Sequence, residues 1–120
     1  MLQINRPVNI HKAYHAHVYF DDSSLDLAAR LTEEASSCFK LQLGRIHKKP
    51  IGPHPTGSRQ LIFSSQQFDQ LIPWLDQNRS NLSILIHGLT GNDLEDHTDY
   101  AYWLGDPVKL DLSKLGPPPK

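Results

Sequence analysis

The chain has 120 residues and a mass of 13.6 kDa, enough for one domain with its own core and too little for two cores and a linker. Twelve Lys and Arg against thirteen Asp and Glu leave a formal charge of −1, so no bulk field draws the chain to nucleic acid or to an acidic membrane surface. No apolar run approaches the ~20 residues of a membrane span, the first residues lack the layout of a signal peptide, and a cytoplasmic protein is expected.

Residues 1–12 contain Pro7 and no periodicity, and read as an arm lying across the body. Ala13 to Phe20 alternates as a strand (β1) requires, with Ala16, Val18 and Phe20 on one face and His15, His17 and Tyr19 on the other. Asp21 to Ser24 offers a cap for a helix (α1) from Ser24 to Ser37, along which Leu25, Leu27, Ala28, Leu31, Ala35 and Cys38 recur at helical spacing. Cys38 is the single cysteine, cannot form an internal disulfide, and is expected to be buried on that stripe.

Phe39 to His47 reads as β2, with Leu41, Leu43, Arg45 and His47 on one face. Residues 48–57 hold three prolines and two glycines, which forbid regular structure and stiffen the backbone. Gln60 to Ser64 is a short β3 and Ser65 to Asn78 is α2, burying Phe68, Leu71, Ile72, Trp74 and Leu75 and carrying Pro73 inside. Leu82 to His87 is a compact apolar strand, β4. Beyond it the chain is turn-rich, with a helical turn expected within Asp96 to Leu104 and a frayed tail at 116–120. The order β-α-β-β-α-β describes a single ferredoxin-like α+β sandwich over residues 1–120, one antiparallel sheet under two helices with strand order 4-1-3-2.

Seven histidines stand out, and the topology gathers six of them. His15 and His17 at the start of β1, His47 at the end of β2, His54 in the following loop and His87 at the end of β4 belong to one sheet edge, with His97 ten residues further on. Residues two apart on a strand point the same way, so His15 and His17 can aim two imidazoles at one point. With His87 they suggest a metal or acid–base site, although any one histidine can equally be a hydrogen-bonding core or surface group. Imidazole and carboxylate ligands suit Fe(II), Zn or Mn. Asp93, Glu95, Asp96 and Asp99 follow β4 closely enough to add a carboxylate, and an all-histidine site is as open. Tyr19 shares the histidine face, which is either solvated or closed by a second subunit into a barrel with an enclosed cavity. Arg45, Lys48, Lys49 and Arg59 flank the edge, where they can hold a substrate carboxylate or remain solvated. Trp103, near Tyr100 and Tyr102, either packs the tail onto the sheet or lines a ring-binding pocket.

Several separated stretches then match one family in order: Tyr14-His-Ala-His-Val-Tyr-Phe-Asp21, Gly44-Arg-Ile-His47, Lys49-Pro-Ile-Gly-Pro-His-Pro55, Pro73-Trp-Leu75, Ile86-His87, Asp96-His-Thr98 and Trp103-Leu-Gly105. Together, from about Tyr14 to Leu115, they resemble the DOPA 4,5-dioxygenase family. The resemblance implies a ferredoxin-like subunit paired as a homodimer, forming a dimeric α/β barrel. It also implies an extradiol dioxygenase that opens the ring of DOPA or a related small catechol with O₂. Fe(II) is the expected metal, with zinc or another divalent ion able to take its place. His17, His54 and His87 are the implied metal positions. His54, His97 and His15 are the implied catalytic ones, a histidine outside the coordination sphere serving as base. Arg45, His47, Tyr19 and Trp103 are the residues expected to hold the substrate. The competing readings are a non-catalytic small-molecule or metal-binding protein of the same architecture, and a metal-independent enzyme such as a small isomerase.

Overall fold

The computed structural model describes residues 7–115, so the expected tail at 116–120 and the first half of the arm lie outside the described residues. In chain order come β1 (Ala13–Phe20), α1 (Leu25–Phe39), β2 (Gln42–Leu43), β3 (Gly57–Ser64), α2 (Ser65–Asn78), β4 (Ile84–Gly88), α3 (Asp93–Asp96) and β5 (Ala101–Leu104). The strands form one antiparallel sheet in the order β2-β3-β1-β4-β5. This contains the expected 4-1-3-2 order, with β5 added beyond β4, and it is an α+β arrangement consistent with a ferredoxin-like fold. The sheet of the single chain is open and does not close into a barrel. Among the described residues no helix is long and apolar enough to cross a membrane.

The two longer helices cover one face of the sheet because their apolar stripes leave them no other way to escape water. Ala28, Leu31 and Ala35 of α1 and Phe68, Leu71 and Leu75 of α2 pack on Ala16, Val18, Leu61, Ile84 and Ile86. The Gln67 side chain accepts from the Ser64 N–H at 3.0 Å and holds the start of α2. Pro73 lies inside α2 on its exposed side. Helix α1 runs two residues beyond Ser37 and stops where Lys40 turns left-handed, at φ 55°. Its stripe passes from Ala35 to Phe39, four residues on, and the expected burial of Cys38 is therefore wrong: the thiol side is exposed.

The region expected as a nine-residue β2 is a two-residue strand followed by a bulge. Gln42 pairs with Ile62 and Leu43 with Leu61, and the Gly44 N–H reaches the Gln60 carbonyl at 2.8 Å. His47 then pairs with Ser58. Arg45 and Ile46 thus oppose Arg59 alone, two residues against one, which inserts one extra position and reverses the alternation. Leu43 faces the helices beside Leu61, whereas His47 faces the other side beside Ser58. The expectation that Leu41, Leu43, Arg45 and His47 share a face fails for this reason. Arg59 anchors the bulge from the helix side, donating from Nε to the Gly44 carbonyl at 3.0 Å and from Nη1 to the Thr32 hydroxyl at 3.3 Å.

The helical turn expected within Asp96 to Leu104 starts earlier, at Asp93, where the Asn92 side chain accepts from the Glu95 N–H at 3.1 Å. Ala101–Leu104 is strand instead, in register with β4 from Ile84–Leu104 to His87–Ala101. Within residues 7–12, Asn9, Ile10 and His11 are hydrogen-bonded to the body of the chain. The Tyr14 hydroxyl accepts from the Ile10 and His11 N–H groups at 2.8 and 2.7 Å, and Asn9 donates to the Ser65 carbonyl at 2.9 Å. The His11 ring lies so close over Gly88 that a Cβ there would come within 2.4 Å of it.

Candidate functional site

The register of the sheet sets its second face. One row across it runs Ile62, His15, His87, Ala101, and the next runs Gln60, His17, Leu85, Trp103. Ser58 and Tyr19 make a third. Period two in β1 therefore puts His15, His17 and Tyr19 together, as the sequence predicts, and β4 adds His87 beside His15.

The chain's own connections lie over much of this face. The proline-rich loop brings His54 against His17, with ring centroids 4.1 Å apart, and the segment after β4 brings His97 to 4.2 Å from His87. Val108 and Leu110 pack on Tyr19, Leu85 and Ala101 from the C-terminal side. The Asp111 N–H ties that stretch to the loop through the Pro53 carbonyl at 2.8 Å. His17, His54 and His87 are all buried in consequence, at 6, 7 and 2% exposure.

Five histidines meet in this space. Nε2 of His17 and Nε2 of His87 are 3.0 Å apart. His87 Nδ1 lies 2.9 Å from the Gly88 carbonyl and His97 Nδ1 2.7 Å from the Asp93 carbonyl, while His54 Nδ1 is 2.6 Å from the Tyr19 hydroxyl. Two overlapping groups can hold a metal ion, His15 with His17 and His87, and His17 with His54 and His97; within each, one ring nitrogen per residue lies within 4.8 Å of the others. Among the described residues both groups are histidine alone. Asp96 does not complete them, because its buried carboxylate accepts from the Thr90 N–H at 3.0 Å and the Thr90 hydroxyl at 2.6 Å and so ties down the turn after β4.

Burial and mutual repulsion favour the neutral form of His15, His17, His54 and His87. Burial lowers the His54 pKa to about 4, helped by the charge of His97, and lowers that of His87 to about 3, again with His97 next in weight. His17 is pushed well below the ordinary histidine value by burial and then by His54 and His87, and His15 is lowered mainly by burial. Burial likewise raises the Tyr19 phenol. Neutral imidazoles with free lone pairs are what a divalent metal requires.

Beside the cluster, a cleft of about 270 Å³ opens between the bulge and the proline-rich loop, with His17 and His54 at its inner end and Arg45 and His47 along it. Ser58 and Gln60 also line it; they were not singled out from sequence, although alternation along β3 opposite His17 and Tyr19 would have found them. Arg59 cannot serve as a carboxylate clamp here, because its guanidinium is on the helix side of the sheet. Trp103 stacks on Tyr19 with centroids 5.9 Å apart and lines a different cleft, with His97, Val108 and Leu110. Trp103 packs together with Val108 and Leu110 against Tyr19, Leu85 and Ala101.

The profile of the Dopa 4,5-dioxygenase family matches residues 14–114. A DOPA 4,5-dioxygenase of Amanita muscaria is 32% identical over 87% of this chain and 50% of its own length. An uncharacterized 21.2 kDa protein of Botryotinia fuckeliana is 34% identical over 87% of this chain and 63% of its own. The chain thus spans between half and two thirds of the curated relatives it matches. A crystal structure of a candidate dioxygenase from Nostoc punctiforme superposes with a TM-score of 0.84 at 47% identity, covering 87% of this chain and 90% of that one. The chain belongs to the Dopa 4,5-dioxygenase family.

Proposed function

We propose that this family member is a metal-dependent extradiol dioxygenase that opens the ring of DOPA or a related small catechol, both atoms of O₂ entering the product. The observation that carries the reading is the pair of buried nitrogens, His17 Nε2 and His87 Nε2, 3.0 Å apart within a five-histidine cluster. Two imidazole nitrogens at this separation would suit a shared divalent ion. His87 Nδ1 donates to the Gly88 carbonyl, so its Nε2 presents a lone pair toward His17. Buried nitrogens that close need a proton or a cation between them.

In this reading His15, His17 and His87 hold the metal, expected as Fe(II), with zinc or another divalent ion able to occupy the same donors. When bound, it supplies a centre at which catechol and O₂ are brought together and electrons pass between them. The chain's own residues do the rest. His97, whose Nδ1 faces the Asp93 carbonyl, is placed to take a catechol proton, and His54, at the inner end of the cleft, to offer one to the opening ring. Arg45 and His47 line the cleft where the side chain of a DOPA-like substrate would lie, and Arg45 offers a fork to its carboxylate. The loop and the C-terminal stretch keep water from most of the His17, His54 and His87 rings. A homodimer and a cytoplasmic location complete the proposal; size-exclusion chromatography giving a monomer at working concentration removes the dimer.

The test is anaerobic reconstitution with Fe(II), then an oxygen-electrode and visible-absorbance assay with DOPA and plain catechols. Oxygen uptake with a new yellow chromophore is expected. An iron-loaded protein that binds a catechol without taking up oxygen is a binding protein, and the dioxygenase reading then fails.

A further inference from the structure

The five histidines are not interchangeable, because a neutral imidazole carries one proton and the partner of one nitrogen decides what the other can do. Nδ1 of His87 and Nδ1 of His97 each face a backbone carbonyl, that of Gly88 at 2.9 Å and that of Asp93 at 2.7 Å. A carbonyl only accepts, so both Nδ1 atoms hold the proton and both Nε2 atoms keep a lone pair. This is the arrangement by which proteins prepare a histidine to ligate.

His54 is wired the other way. Its Nδ1 meets the Tyr19 hydroxyl at 2.6 Å, and Tyr19 is 3% exposed. Among the described residues that hydroxyl has no other hydrogen-bond partner. A phenol holds its proton at neutral pH and, when buried, must place it on an acceptor or bear the cost of an unmade bond. Among the described residues the acceptor at hand is His54 Nδ1. The proton of His54 is then on Nε2, the nitrogen left for the cluster. Tyr19 is itself held in place by its stack on Trp103 and by Leu85 and Ala101 beside it.

We infer that Tyr19 is a positioning residue whose hydroxyl fixes His54 as the Nε2–H tautomer, making His54 a hydrogen-bond donor toward the cluster and not a metal ligand. This rests on the metal-centre reading and sorts it. Of the two overlapping groups, His17 with His54 and His97 loses a donor, and His15 with His17 and His87 remains. The ligand position expected for His54 from sequence gives way to the role of a donor beside the metal, and the base role falls to His97, whose Nε2 keeps its lone pair.

Nitrogen-15 spectra of the full chain labelled at histidine test this directly, first after chelator treatment and then loaded with zinc. In the metal-free protein His54 should show a protonated Nε2 and a bare Nδ1, the reverse of His87 and His97. On zinc loading, Nε2 of His17 and of His87 should shift and that of His54 should not. A protonated Nδ1 on His54, or a zinc-induced shift of its Nε2 like that of the ligands, overturns the inference. Zinc shifting no histidine overturns the metal centre instead, while the metal-free tautomer still decides the role of Tyr19. Tyr19→Phe keeps the stack on Trp103 and removes the hydroxyl. His54 should then populate both tautomers and turnover should fall roughly 10- to 100-fold with zinc affinity held; a His54 that stays wholly Nε2–H in this variant also refutes the inference.

Discussion

The two faces of the sheet are made from the same strands and hidden from water to a similar degree, yet they obey different rules. On the helix side of β1, Tyr14, Ala16 and Val18 are fully buried and Phe20 nearly so, against Leu61, Leu71, Leu75, Ile84 and Ile86. On the other side, one residue along, are His17, Tyr19 and the half-buried His15. The first face gains stability from every contact it makes. The second gathers groups that lose hydration on burial, and it gets only a single hydrogen bond for several of them. A sheet face that is covered by its own loops and still made of imidazoles is organised for chemistry at the expense of stability.

The comparison breaks most sharply with one substitution on each side. His17→Ala removes the imidazole common to both possible ligand groups. Metal affinity should fall by roughly 100-fold or more, beyond what loss of even an outer partner costs, and oxygen uptake should vanish while the thermal midpoint of the metal-free protein holds or rises. Leu61→Ala, fully buried between β1 and the helices, should destabilise the fold by about 2–5 kcal/mol. The folded fraction of that variant should bind metal as the parent does. Isothermal titration with zinc and denaturant melts separate the two; a Leu61→Ala that loses metal affinity in its folded fraction would show that the faces are not independent.

Acid sharpens the same contrast. A histidine whose pKa is lowered by folding binds its proton more readily in the unfolded chain, so between the two values the unfolded state holds more protons and stability rises with pH. For His54 and His87 that window runs from the model-peptide value of 6.5 down to about 4 and about 3. Metal-free protein should therefore lose stability steadily as pH falls through this range, because the unfolded chain takes up protons that the buried imidazoles refuse. Urea midpoints taken at half-unit steps from pH 7.5 to 4 read the slope. A flat profile would mean that the imidazoles escape to water before they charge.

How far each face was legible from the sequence follows from the kind of information that placed it. The alternation in Ala13 to Phe20 is local, so both faces of β1 were readable residue by residue, and so was the gathering of histidines at one edge. The bulge was not: Gly44-Arg-Ile-His47 keeps an ordinary strand pattern, and only pairing with Ser58 reveals the extra residue. Strand β5 was hidden because four residues, Ala101–Leu104, are too few to display a period and are recognisable only against β4. His54 lies in a loop whose three prolines carry no periodicity, so neither its partner Tyr19 nor the cover it gives His17 could be read in advance. Cys38 was misplaced because a helix drifts from its stripe over its last turn, where Phe39 takes the inward position. Apart from Cys38, what escaped was set by contacts distant in sequence.

The smallest expected effect concerns what the bulge does for the histidine face. By opposing Arg59 with two residues, Arg45 and Ile46, it turns His47 toward Ser58 and leaves Arg45 on the wall of the cleft, exposed and with no acidic partner among the described residues. A cation in that position costs little to keep and adds little to the fold, so its replacement isolates recognition from stability. Arg45→Ala should leave the thermal midpoint and zinc affinity unchanged and raise KM for a catechol bearing a carboxylate by about tenfold, the effect of one charge-assisted hydrogen bond partly exposed to solvent. Plain catechol, which offers no carboxylate, should show no change. Equal losses for both substrates would place Arg45 in the general electrostatics of the cleft, and no loss for either would leave His47 and the loop as the groups that hold the substrate.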